Sequence, residues 1–155
     1  MLVFLIGMPS SGKSTISQLL GGCDTDDIID LHQLAADSIT PDEFYDREMK
    51  RILAWLTPDL QDIVATGGSI VHRQATMDAI RQIGTVVWLY APLPTLEQRL
   101  GDWTTRGIIM PEGIHTLREL FAFREPLYSM NSDIMMNTSI MTVEECAAEI
   151  KKLCC

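Results

Sequence analysis

The segment Gly7-Met8-Pro9-Ser10-Ser11-Gly12-Lys13-Ser14-Thr15 decides the fold, because it lies between an apolar run, Leu2–Ile6, and a helical pattern that starts at Ser14. It matches G-x-x-x-x-G-K-[ST], a pattern that is informative when a strand precedes it and a helix follows. Glycines in such a loop let successive backbone N–H groups point at phosphates, and the helix start adds a partial positive charge. A nucleoside triphosphate, ATP or GTP, is therefore expected to bind Gly7, Pro9, Ser10, Ser11, Gly12, Lys13, Ser14 and Thr15.

Apolar runs of strand length alternate with helical patterns along the rest of the chain. The predicted strands are Leu2–Ile6, Ile63–Ala65, Val86–Tyr90 and Ile134–Met136, with a much shortened second strand near Gly21-Gly22-Cys23. The predicted helices are Ser14–Leu20, Pro41–Leu56, Arg73–Ile83, Pro94–Leu100, Glu112–Arg124 and Val143–Leu153. This alternation predicts an α/β fold of three layers, a P-loop kinase fold in which a central parallel five-stranded sheet is flanked by helices.

Composition narrows the class of protein. The 155 residues contain no repeat or linker, so one domain over 1–155 is expected. The net charge of −9 speaks against a nucleic-acid-binding surface, which needs an excess of Lys and Arg. The apolar start lacks a basic leader, and no run reaches the roughly 20 apolar residues of a membrane span. We expect a cytoplasmic monomer that binds a small molecule, with no nucleic-acid or membrane partner.

Charged and hydroxyl side chains near the loop complete the predicted donor site. Lys13 should neutralise charge on the β and γ phosphates, and the Ser14 hydroxyl should ligate Mg²⁺. Asp24 and Asp26 follow the first helical pattern, and in an extended segment residues two apart point to the same side. One carboxylate could then help to hold hydrated magnesium, while the other accepts the acceptor hydroxyl's proton or orients that hydroxyl. A turn or a helix N-cap is the alternative interpretation of the pair.

Three further features suit a phosphoryl-transfer site. Gly67 and Gly68 follow the strand Ile63–Ala65, where glycines allow the backbone to approach a ligand closely. Arg106 lies in a segment with few structure signals, and a mobile loop that carries an arginine can bring charge to the γ-phosphate. Arg124 can grip a carboxylate with two parallel hydrogen bonds, although a salt bridge to a neighbouring acid is the competing interpretation.

Taken together, these motifs resemble the shikimate kinase family over nearly the whole chain. The resemblance rests on the loop, Asp24-Thr25-Asp26, Phe44…Glu48, Thr66-Gly67-Gly68-Ser69, Arg99, Arg106 and Arg124-Glu125-Pro126-Leu127-Tyr128. It implies ATP and Mg²⁺ as cofactors, an acceptor-binding region at about 27–57 and a lid at about 101–113. It also implies that Arg99 lies against the adenine and that Arg106 is the arginine of the lid.

The resemblance also implies roles on the acceptor side. Asp26 would contact the acceptor hydroxyl and serve as base, with Asp24 near magnesium. Gly67 and Gly68 would contact the substrate. Arg124 would pair with the substrate carboxylate.

The sequence departs from the family in the acceptor region. The family's second carboxylate-binding arginine follows a phenylalanine in F-R-x-x-E, and aligning Phe44 and Glu48 puts Tyr45 at its place. The other alignment puts Arg47 on the arginine but sacrifices both Phe44 and Glu48. Ser69 replaces the third glycine of a family triplet. Tyr45 is therefore taken as a substrate-binding residue.

Three functional hypotheses follow. The first is a kinase that converts shikimate into shikimate 3-phosphate with ATP. The second is a related kinase for another small hydroxy-acid or hydroxy-amino acid, such as homoserine or a sugar acid. The third is a nucleotide-binding module without transfer chemistry. Motif coverage favours the first hypothesis, whereas Tyr45 and Ser69 favour the second.

Overall fold

The computed structural model describes residues 1–57, 60 and 63–154. Its strands are β1 (Leu2–Ile6), β2 (Cys23–Asp24), β3 (Ile63–Ala65), β4 (Gly84–Tyr90) and β5 (Ile134–Asn137). They form one parallel sheet in the order β2-β3-β1-β4-β5. The predicted five-stranded parallel sheet is confirmed, including the shortened second strand.

Helices cover both faces of this sheet. Those described are α1 (Lys13–Leu19), α2 (Thr25–Ile29), α3 (Leu31–Asp37), α4 (Pro41–Trp55), α5 (Gln74–Ile83), α6 (Leu93–Leu100), α7 (Leu117–Asn131) and α8 (Val143–Cys154), with short 3-10 helices at Gly68–His72 and Trp103–Thr105. No helix in the described ranges is both long and apolar enough to cross a bilayer.

The side chains of β1 alternate between two hydrophobic cores. Val3 and Leu5 pack on the side of α1 and α8, whereas Phe4 and Ile6 join the larger core with residues of α5, α6 and α7. All five residues of β1 are buried. A strand buried on both faces needs helices on both faces, which explains the three layers.

One helix prediction was wrong at both ends. The helix predicted at Glu112–Arg124 is α7, which begins after Thr116, whose side chain accepts the backbone N–H of Glu119. It also continues through Pro126 to Asn131, so Arg124 lies inside the helix and not at its end. The buried Tyr128 anchors this last part, because its hydroxyl donates to the Gly68 carbonyl over 2.7 Å. Tertiary packing here overrides the usual tendency of proline to end a helix.

Candidate active site

The loop between β1 and α1 has the backbone geometry that its glycines predict. Gly7 has φ 148° and Gly12 has φ 102°, and side chains rarely adopt such values. A Cβ at Gly7 would lie 2.5 Å from the carbonyl oxygen of Leu89 in β4. Position 7 therefore needs a glycine for both its backbone conformation and the space around it. The loop lies at the carboxyl ends of β1 and β4, where ligands of open α/β sheets bind.

Lys13 folds back over this loop. Its Nζ donates to the carbonyl oxygens of Gly7 and Met8, each over 2.8 Å. Burial, assisted by the positive charge of Arg124, lowers the pKa of Lys13 to about 8. A phosphate beside Lys13 would supply the negative charge that favours its protonated form.

Oxygen ligands suited to magnesium lie beside the start of α1. The Ser14 hydroxyl donates to Oδ2 of Asp24, so a hydroxyl and a carboxylate occupy adjacent positions. Magnesium often takes only one or two protein oxygens and keeps water and phosphate oxygens for the rest of its shell. The described part of the chain contains no cluster of three or more His, Cys, Asp or Glu that could hold a metal by itself. The pair Ser14 and Asp24 therefore fits a magnesium ion shared with a nucleotide.

Asp24 and Asp26 do not form the extended pair that the sequence predicted. Asp24 is the N-cap of α2, and its Oδ1 accepts the backbone N–H of Asp26 over 3.0 Å. Asp26 belongs to the first turn of α2, because the chain turns into a helix directly at Thr25. Desolvation by its surroundings, then the Asp24 charge, raises the pKa of Asp26, while Lys13 opposes the shift. The two carboxylates still lie at one end of the sheet, but the capping interpretation describes Asp24.

The glycine pair joins the donor and acceptor sides of the site. The N–H of Gly67 donates to Oγ1 of Thr25 over 3.1 Å, and a Cβ at Gly67 would lie 3.8 Å from Oδ1 of Asp26. A Cβ at Gly68 would lie 2.9 Å from Nη1 of Arg124 and 3.3 Å from the carbonyl oxygen of Gly7. Gly68 thus allows the guanidinium of Arg124 and the phosphate loop to approach the same stretch of backbone.

Arg124 is the largest fully buried side chain described, with 2% of its surface exposed. Its Nε donates to Nε2 of His72 over 2.9 Å. Among residues 1–57, 60 and 63–154, no carboxylate lies within ion-pairing distance of its guanidinium. The competing interpretation of a structural salt bridge therefore has no partner in the described chain. A buried guanidinium without a carboxylate partner is suited to bind an anion, because the anion would compensate its charge.

Tyr45 faces the interior of this region, whereas Arg47 does not. The Tyr45 ring stacks on His72 with centroids 4.1 Å apart, and its hydroxyl donates to the carbonyl oxygen of Ile109 over 3.0 Å. Arg47 instead donates to the carbonyl oxygen of Asp37 and pairs with Glu43. The alignment with Tyr45 at the arginine position therefore agrees with the geometry. The Tyr45 phenol proton, however, is used in the hydrogen bond to Ile109.

Three side chains beside Arg124 received no role from the sequence. Glu48 is 2% exposed, and its Oε2 accepts the Ser69 hydroxyl over 2.6 Å. Its Oε1 has no hydrogen-bond partner among the described residues. Burial raises the pKa of Glu48 to about 7, opposed by Ser69 and Arg124. Ser69 and His72 are three residues apart in a 3-10 helix, where such residues project from the same side. A prediction of this short helix from the sequence would have placed the side chains of Ser69 and His72 on the same side.

A cavity of about 270 Å³ adjoins the phosphate loop on the side of α8. Its lining includes Ser10, Ser11, Gly12, Thr15, Ile16, Arg99, Thr138, Met141, Val143 and Cys146. Arg99 forms one wall, since Nη2 donates to the carbonyl oxygen of Thr138 over 2.8 Å and Nη1 to that of Ser10 over 3.3 Å. A mixed apolar and polar cavity beside the loop is suited to a nucleotide base, where the resemblance placed Arg99.

The segment expected to be a lid lies against the acceptor side. Ile109 packs with Phe44 and Tyr45, and Ile108 and Met110 pack against the larger core. Arg106 is exposed at the end of the 3-10 helix Trp103–Thr105. The apolar residues of this segment are thus docked, while its arginine faces solvent.

Comparisons with known proteins agree with this geometry. A family model described as shikimate kinase matches residues 9–155. A shikimate kinase of Chlorobium chlorochromatii is 30% identical, over 97% of this chain and 91% of that protein. One of Bordetella pertussis is 32% identical, over 91% of this chain and 72% of that protein.

Solved structures give the same result. A shikimate kinase of Acinetobacter baumannii in complex with shikimate is 25% identical with a TM-score of 0.75, covering 98% of this chain and 91% of that one. The fold is also that of the Aquifex aeolicus shikimate kinase, with a TM-score of 0.74 at 23% identity, over 98% of this chain and 95% of that one. This chain therefore belongs to the shikimate kinase family, a family of phosphotransferases that act on an alcohol group.

Proposed function

We propose that this chain transfers the γ-phosphoryl group of ATP to shikimate and forms shikimate 3-phosphate. The observation that carries the proposal is the buried guanidinium of Arg124, which lacks a carboxylate partner in the described chain and lies against Gly68. An acceptor whose carboxylate binds Arg124 would extend towards Asp26 and the phosphate loop, so that its hydroxyl could lie between them. Shikimate carries both the carboxylate and the hydroxyls that this arrangement needs.

The donor side would bind MgATP through the loop and its neighbours. When bound, ATP supplies the phosphoryl group, and Mg²⁺ neutralises negative charge on the phosphates. The loop residues Gly7, Pro9, Ser10, Ser11, Gly12 and Thr15 would surround the phosphates. Ser14 and Asp24 are the residues that would hold the ion, and Arg99 would contact the base.

The transfer itself would rest on Lys13, Asp26 and Arg106. Lys13 would move from the loop carbonyls to the phosphates, whose negative charge would further favour its protonated form. Asp26, whose pKa is raised, would accept the acceptor hydroxyl's proton at a carboxylate oxygen. Arg106 would approach the phosphates when the segment 101–113 closes and excludes water.

A second candidate is a kinase for another carboxylated hydroxy-compound. It is favoured by the geometry at Tyr45, where the place of a second guanidinium is taken by a phenol that donates to the Ile109 carbonyl. With Arg124 as the only described clamp, an acceptor with a carboxylate but a different hydroxyl pattern would also fit.

A coupled assay of ADP release with shikimate, homoserine and gluconate tests these proposals. Turnover of shikimate with a micromolar-to-millimolar KM supports the first, and turnover of another acceptor alone supports the second. If MgATP binds but no acceptor raises ADP release, the chain is a nucleotide-binding module without transfer activity.

A matched pair of arginine substitutions on α7 tests the carrying observation. Arg124→Lys should raise the acceptor KM about tenfold or more, because a lysine cannot form the two parallel hydrogen bonds of a guanidinium. Arg118→Lys changes an exposed arginine of the same helix and should leave the acceptor KM unchanged. An unchanged KM in Arg124→Lys would remove Arg124 from the clamp role.

A further inference from the structure

The Nε of Arg124 forms a hydrogen bond with the imidazole of His72. Since Nε of an arginine always carries a proton, Nε2 of His72 must be the acceptor in this 2.9 Å contact. An imidazole that accepts at Nε2 is neutral and carries its proton on Nδ1. Burial, followed by the charges of Arg124 and Arg73, lowers the pKa of His72 to about 3, which agrees with a neutral ring.

The His72 ring is itself held in place by two neighbours. Tyr45 stacks on it with centroids 4.1 Å apart and planes 4° from parallel. Phe123, which precedes Arg124 on α7, lies on it with centroids 5.4 Å apart and planes 17° from parallel. A ring that contacts two other rings loses rotational freedom, so the direction of its Nε2 lone pair is fixed.

We propose that His72 is the positioning residue for Arg124, and that its Nε2 orients the guanidinium so that the terminal nitrogens receive the acceptor's carboxylate. Fixing Nε fixes the plane of the guanidinium, because the group is rigid. A neutral partner at Nε also has an electrostatic consequence. A carboxylate there would neutralise Arg124 before the acceptor arrived, whereas a neutral imidazole adds no negative charge at Nε. This inference rests on the proposed function in which Arg124 holds a carboxylate.

Two substitutions separate the hydrogen bond from the ring stack. His72→Phe keeps an aromatic ring for Tyr45 and Phe123 but removes the acceptor. His72→Gln removes the ring but keeps an acceptor oxygen at a similar reach. His115→Phe, at an exposed histidine before α7, is the control for the loss of an imidazole.

The kinetic result expected is specific to acceptor binding. His72→Phe should raise the shikimate KM about 10- to 100-fold, the usual effect of losing a hydrogen bond to a charged group. The MgATP KM should be unchanged, kcat should fall less than the shikimate KM rises, and His72→Gln should recover most of the loss. An unchanged shikimate KM in a folded His72→Phe, or equal losses in the two variants, would overturn the proposal.

A second measurement does not depend on any acceptor. Nitrogen-15 NMR of the ligand-free protein at pH 7 should show a neutral His72 with a protonated Nδ1 and a hydrogen-bonded Nε2. The Arg124 Nε–H resonance should shift in His72→Phe and not in His115→Phe. A protonated Nε2 at His72 would refute the proposal even if shikimate turns over. The expected NMR result would support the hydrogen bond between Arg124 and His72 even if the enzyme did not use shikimate, so the two proposals can fail separately.

Discussion

Replacing Glu48 by glutamine should change how the stability of this protein depends on pH. Glu48 is buried on α4 and receives a hydrogen bond from Ser69, while its other carboxylate oxygen has no partner in the part of the chain that the structure describes. Burial therefore disfavours its charged form and raises its pKa from 4.5 to about 7. Between these values the native protein keeps a proton that the unfolded chain releases, so the free energy of unfolding falls as pH rises.

The size of the effect follows from the shift. Each pKa unit corresponds to about 1.4 kcal/mol, so a shift from 4.5 to about 7 predicts a loss of about 3 kcal/mol by pH 8. A glutamine resembles the protonated carboxyl and does not titrate. Relative to the original protein, Glu48→Gln should gain about 3 kcal/mol between pH 4 and pH 8.

Urea unfolding followed by tryptophan fluorescence at intervals from pH 4 to pH 8 measures this difference. Asp26 and Lys13 also have shifted pKa values, but both remain in the variant, and the difference between the two curves isolates Glu48. Glu97→Gln removes an exposed carboxylate and is the control for losing one negative charge. A difference that stays flat within about 0.5 kcal/mol would contradict the reasoning, because it would mean that Glu48 ionises alike in both states.

Two further predictions concern the acceptor side. Asp26→Asn should reduce kcat about 10²- to 10⁴-fold, because a general base usually contributes that much. The affinity for MgADP, measured by calorimetry, should stay unchanged. A near-normal kcat would remove Asp26 from the base role. Tyr45→Phe keeps the ring stacked on His72 but loses the hydrogen bond to the Ile109 carbonyl, which contributes about 0.5–1.5 kcal/mol. Amide hydrogen exchange in 101–113 should then become roughly two- to tenfold faster, with α7 unaffected; unchanged exchange in the segment would mean that Tyr45 does not hold it.

The conformation of the loop between β1 and α1 could be predicted from sequence because its determinants are local. The residues of Gly7–Thr15 are consecutive, and their glycines, lysine and hydroxyl each act within one turn of the chain. The strands were equally accessible, since runs such as Leu2–Ile6 are buried on both faces and show it in their composition. The start of α7 also has a local signal, because Thr116 and Glu119 have the spacing of a capping box.

The acceptor half was less accessible because it depends on contacts across long separations. The hydrogen bond between Arg124 and His72 joins residues 52 apart, and that between Tyr45 and Ile109 joins residues 64 apart. The extended geometry assigned to Asp24 and Asp26 was wrong for a related reason. Asp24 uses its carboxylate to cap α2, a helix of only five residues that periodicity cannot detect.

The departures from the family at Tyr45 and Ser69 belong to one connected arrangement. Position 45, where the resemblance leads us to expect an arginine, is a tyrosine, and Glu48 has no cation within ion-pairing distance in the described chain. The Ser69 hydroxyl, which a glycine would lack, donates a hydrogen bond to the Glu48 carboxylate. The tyrosine ring in turn stacks on His72, which contacts Arg124. Residues 69 and 72 thus provide a donor for Glu48 and a contact for Arg124 from one turn of a 3-10 helix.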